Sequence, residues 1–170
     1  MKIKTDFVTN SSSSSFVVVW PDIIKGEDDV RKFIKREGFV GHITTDALSQ
    51  TPLKIDLKDT KVIKKVTERL GEGYVHGCDK FWDYSGKFCE ENGITKNELY
   101  ANDIWRDQLF QQEQYLQNEQ HLEKAIFFLR EFEGQYVYIF HYGDEGGGIF
   151  AELEHENDWG GLPYIRVNQH

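Results

Sequence analysis

Residues 16–20, FVVVW, constrain this chain more than any other stretch. Five β-branched or aromatic residues in a row, with no polar alternation, describe a strand covered on both faces. Such a run is too apolar for an exposed sheet edge, and Pro21 closes it because proline cannot donate to a ladder. Immediately before it stand five serines, Ser11, Ser12, Ser13, Ser14 and Ser15, and before those a second β-like run at residues 3–8. A serine tract ordinarily signals a flexible linker. Between two strand-like segments it is expected to be ordered, with residues 16–20 inside the sheet.

The middle of the chain has helical period. Residues 27–37 read as a short helix led by acids, with Val30, Phe33 and Ile34 at helical spacing and Gly38 to end it. LKIDL, residues 53–57, alternates as a strand does. Asp59 then caps a helix whose apolar stripe is Val62, Ile63, Val66 and Leu70, ended by Gly71. Phe81, Trp82, Phe88 and Cys89 suggest another helix, and Thr95 with Glu98 fits a capping box. Helical character continues to Glu133, with QQEQYLQNEQ as a solvated helix surface or a helix–helix connection.

Near the C-terminus the period changes to two. Residues 135–142 (QYVYIFHY) and 149–155 (IFAELEH) read as a hairpin around GDEGGG, and residues 162–167 as a last strand. The expectation is a single α+β domain over residues 1–170, with a mainly antiparallel or mixed sheet from the N- and C-terminal strands. Helices from the middle would pack on one face.

The hairpin concentrates the chemistry. If Tyr142 pairs with Ile149, His141 lies beside Glu152, an arrangement that orients an imidazole for proton transfer or a metal. His141, Glu152 and His155 are therefore the candidate catalytic residues, and Asp158 and His170 extend them to a weaker candidate metal set. No H-E-x-x-H or comparable spacing is present, so an acidic solvated face accounts for the same residues. The serines offer hydroxyls and consecutive N–H groups to an anion, without the glycines and lysine of a P-loop.

The net charge of −9 opposes non-specific nucleic-acid binding and suits a basic partner surface. No signal peptide or membrane-spanning run is visible, and Cys78 and Cys89 match no zinc spacing. A cytoplasmic protein without cofactor is expected, with both thiols in packing roles.

The stretch KIKTDFVTNSSSSSF resembles an N-terminal motif of uncharacterised bacterial and phage proteins: Phe7, Val8, Thr9, Asn10, the serines and Phe16. The ending is similar to theirs through Leu153, Glu154, His155, Leu162, Pro163, Ile165, Arg166 and His170. The resemblance covers only the two ends and implies a family without an activity. Joined to the acid excess, it implies a phage or prophage protein that binds a host or defence protein, as an inhibitor, with no direct contact to nucleic acid or membrane. Two alternatives stand beside it: a metal- or anion-dependent enzyme acting on a nucleotide or phosphoester, and a ligand-binding or structural virion component.

Overall fold

The computed structural model describes residues 13–73, 75, 84–143, 149–155 and 159–169. Four strands form one antiparallel sheet in the order β2 (Leu53–Lys54), β3 (Tyr136–Gly143), β1 (Ser13–Trp20), β4 (Tyr164–Gln169). The FVVVW run is the inner strand that its composition demands. Val17 lies opposite Ile139 of β3 on one side and Ile165 of β4 on the other. Phe16, Val17, Val18 and Val19 are fully buried.

Because side chains alternate along a strand, β1 feeds two cores. Phe16, Val18 and Trp20 face α1 (Glu27–Arg31), α2 (Glu37–Ser49) and α7 (Ile149–His155). Val17 and Val19 face α3 (Thr60–Leu70) and the C-terminal half of α6 (Asp103–Leu129). The α+β class is as expected, but helices cover both faces of the sheet rather than one. The reason lies in β1 itself: a strand with no polar face leaves neither side for water. At about 1.5–3 kcal/mol for each large apolar side chain buried, both layers are needed.

A third, smaller core lies away from the sheet. Phe88 and Cys89 of α4 (Tyr84–Asn92), Leu99 of α5 (Lys96–Ala101) and Leu109 of α6 pack together there. The Thr95–Glu98 capping box forms as expected, and Asn102 caps α6 by accepting from the N–H groups of Ile104 and Trp105. α6 runs unbroken through the glutamine-rich stretch, which is therefore helix surface and not a connection.

Three local expectations are corrected. Residues 149–155 are helix α7, not the second arm of a hairpin. Ala, Leu and Glu favour helix, and Ile149 and Leu153 sit one turn apart toward the core. Over residues 136–139 β3 has no free edge for them: β1 takes one side, and on the other stand β2 and, ahead of β2 in the chain, Gln50, whose side-chain amide bonds both N–H and C=O of Ile139. The strand at 53–57 shrinks to Leu53–Lys54. The helix at 27–37 ends at Arg31, and Gly38, read as a terminator, lies inside α2, whose Phe39, Val40, Ile43 and Ala47 are buried. The strand expected at residues 3–8 lies outside the described residues, as does Cys78.

Candidate functional site

Of the residues that the sequence singled out, the serine end of the sheet brings together Ser14, Ser15 and His141. Ser14 and Ser15 are fully buried on opposite faces of β1. The Ser14 hydroxyl donates to Asn168 Oδ1 (3.1 Å) and accepts from Arg166 Nε (3.1 Å). Ser15 Oγ lies 3.0 Å from His141 Nδ1, and Arg69 Nη1 donates to it at 3.5 Å. Arg69 also pairs with Glu72, and next in the chain Gly73 passes so close to β4 that a Cβ there would collide with the Asn168 carbonyl. The serines are thus a polar section of an inner strand whose backbone is engaged by β3 and β4. Strand pairing aims successive N–H groups to opposite sides, so Ser13, Ser14 and Ser15 form no concave anion nest. Ser11 and Ser12 lie outside the described residues.

His141 therefore meets Ser15 across the β1–β3 ladder and not Glu152. Glu152, on α7, pairs with Arg36, whose guanidinium lies 4.4 Å above the Phe39 ring. His155 is the last residue of α7, and Asp158 and His170 lie outside the described residues. The pairing of His141 with Glu152 falls with the hairpin that would have produced it. Among the described residues, no three His, Cys, Asp or Glu side chains are placed to hold a metal.

The Ser15–His141 contact has the spacing of a nucleophile and its base. A hydroxyl with no exposed surface cannot meet a substrate, however, and among the described residues no carboxylate orients the imidazole. The contact works as a latch between strands. One residue further, Tyr142 is buried and its hydroxyl forms no well-aligned hydrogen bond among the described residues. Burial first, and the nearby Asp46 carboxylate second, push that phenol well above its ordinary range.

A different region is open to a ligand. Between the C-terminal half of α6 and the start of β4 lies a groove of about 800 Å³, walled by Phe127, Phe128, Phe132, Pro163, Tyr164 and Ile165. Phe127 is 62 % exposed, with the Arg130 guanidinium 4.1 Å above its ring. Phe128 and Phe132 meet edge to face at 5.5 Å. Glu123, Lys124 and Glu131 line the same groove. Among the described residues β4 is an edge strand, so its outer backbone borders this groove.

The sequence carried a signal for this region. AIFFL, residues 125–129, is five consecutive apolar residues on a helix, a wider arc than one core-facing stripe. Ala125 and Leu129 are buried and Phe127 is left outward. The helical stripe that the spacing gives here, Leu122, Ala125, Ile126, Leu129 and Phe132, passes over Phe127 and Phe128 and includes Leu122 and Ile126, which the structure leaves exposed. The chain matches no protein-family model, no curated protein and no solved structure.

Proposed function

We propose that this protein acts by binding another protein through the groove between α6 and β4. The carrying observation is the coincidence of an apolar groove of about 800 Å³, an outward Phe127 and a sheet edge. An extended segment of the partner would add to β4 by main-chain hydrogen bonds, and an apolar side chain would enter between Phe127 and Tyr164. The net charge of −9, with Glu123 and Glu131 on the groove, favours a partner with a basic surface. The likeness of both chain ends to bacterial and phage proteins supports a host or defence protein as that partner, and inhibition as the outcome.

The test is capture from bacterial lysates on the immobilised protein at low and high salt, with Phe127→Glu in parallel. The captured protein is then purified and titrated against both forms. The reading expects binding that weakens steeply with salt, since rim charges act over about 8 Å at physiological ionic strength. Phe127→Glu should weaken it at least tenfold, in line with the loss of a buried aromatic anchor. Capture indifferent to Phe127, or no salt-sensitive partner in several hosts, overturns it.

A further inference from the structure

α6 changes its partners along its length. Trp105 and Leu109 pack on α4 and α5, while Ala125 and Leu129 enter a core against the sheet. Trp105 and Ala125 are twenty residues apart, as are Leu109 and Leu129, which sets each pair about 200° apart around the helix. The helix therefore buries opposite sides at its two ends. Leu109 and Phe127, by contrast, are eighteen residues apart, five whole turns, so both point the same way. α4 and α5 thus stand over the side of α6 that carries Phe127, about 27 Å further along.

Between its two ends the helix stands alone. None of residues 110–120 is buried, and eight of these eleven are exposed. Neither Lys nor Arg occurs between Arg106 and Lys124, so this stretch has no ion pair between its own turns. Its side-chain hydrogen bonds among the described residues are exposed ones, Tyr115 to Glu119 and Tyr84 of α4 to Gln112. α3 stands off on one side, across a groove of about 500 Å³ lined by Tyr115 and Asn118. A helix polar on all sides is a bridge through solvent, and eleven unpacked residues are near the length at which a helix in water is marginal. Where the bridge meets the body, Gln120 Oε1 and His121 Nδ1 are buried and have no hydrogen-bond partner among the described residues. Two adjacent buried acceptors left over mark a point where a small rotation of the helix, by admitting water, satisfies both. Entry of water into the helix ladder is one of the established causes of a kink.

We propose that α6 bends within residues 110–120, with its pivot at Gln120–His121, and that α4, α5 and the N-terminal half of α6 swing as one arm over the side that carries Phe127. From the pivot to Asp103 the arm is about 25 Å long, so a bend of about 20° moves its far end by about 9 Å. The small core of Phe88, Leu99 and Leu109 travels whole, because none of its members belongs to the cores against the sheet. The bend is a property of the chain alone; its use, to close on the groove or to clear it, rests on the function proposed above.

Amide hydrogen exchange on the free wild-type chain separates this hinge from simple opening of the small core. Amides of residues 112–120 should exchange at least tenfold faster than those of residues 107–110 and of residues 124–129. Equal rates in residues 107–110 and 112–120 would assign the opening to the small core and overturn the hinge. Spin labels on the exposed positions Lys96→Cys and Lys54→Cys then measure the swing by pulsed electron resonance, in a Cys78→Ser background with Cys89 buried. Distances should spread over about 9 Å, against one narrow peak for Lys54→Cys with Asp22→Cys inside the body. Gln117→Gly should widen the spread, and Gln117→Lys, which gives Glu113 an i,i+4 partner, should narrow it. A single narrow peak for the Lys96 pair, or a spread indifferent to both changes at Gln117, would overturn the inference. Both measurements use the chain without a partner, so their failure is distinct from failure of the groove to bind one.

Discussion

The two halves of α6 live in different surroundings. Its C-terminal half presses Ala125 and Leu129 against the sheet, where they join a core fed by three strands and α3. Its N-terminal half offers Leu109 and Trp105 to a cluster that, among the described residues, is drawn from α4, α5 and the Ile94 between them. The first environment closes contacts between residues more than a hundred positions apart. The second is built from neighbours in sequence. A core of long-range contacts unfolds only with the whole domain, whereas a small local cluster can open by itself. One continuous helix thus joins a part of global stability to a part of local stability.

The largest effect should come from the sheet. Phe140 is buried with its ring 5.0 Å from Trp159 and stacked on Tyr142. Phe140→Ala is expected to cost about 3–5 kcal/mol, read as a fall in the urea midpoint by every probe together. A loss confined to one probe would contradict the picture of a single cooperative sheet core.

Leu99→Ala sharpens the contrast. Leu99 is fully buried in the small cluster, and the local cost should be about 2–4 kcal/mol, as for other buried leucines. Amide hydrogen exchange should speed up across α4, α5 and the first turns of α6, with β1 and β3 keeping their protection. Equal loss of protection in β1 would show that the two halves of α6 are one unit.

The smallest effect concerns their junction. His121 is buried beside the end of α3, and burial first, with Lys124 second, holds its pKa below the ordinary value of 6.5. The unfolded chain takes up a proton near pH 6.5 that the folded chain resists. The stability contributed by neutral His121 is complete above that pH and lost as pH falls below it. Melting temperature should decline by a few degrees between pH 7.5 and 5.5, and His121→Gln should flatten the decline. An undiminished decline in that variant would move the origin to another group.

The sequence made some of this legible for identifiable reasons. β1 could be placed because its apolar run has one solution, a strand covered on both sides. The Asp59 and Thr95 caps could be placed because capping depends on residues two or three apart. α7 could not, since a short apolar run with alternation fits strand or helix, and the choice fell to whether β3 had an edge to offer. The serine end was half legible. The place of Ser13, Ser14 and Ser15 in a strand followed from the apolar run after them, but the partner of His141 depended on register between segments 126 positions apart. The Phe127 groove was hardest, because a pattern reading credits apolar residues to the core.

The serines have a last consequence, for how β1 finds its place. Val17, Val18 and Val19 are interchangeable, so a slip of one position along β3 and β4 would still set valine against apolar neighbours. Within residues 11–19 the composition changes at a single step, between Ser15 and Phe16. Ser15 is matched to His141 and Arg69 on one face, Ser14 to Asn168 and Arg166 on the other. A slip by one would exchange those faces and leave buried hydroxyls unpaired, at about 1–3 kcal/mol for each group stranded. The tract thus acts as a ruler for a strand that is otherwise without markings, and it discriminates against misaligned sheets more than it strengthens the aligned one.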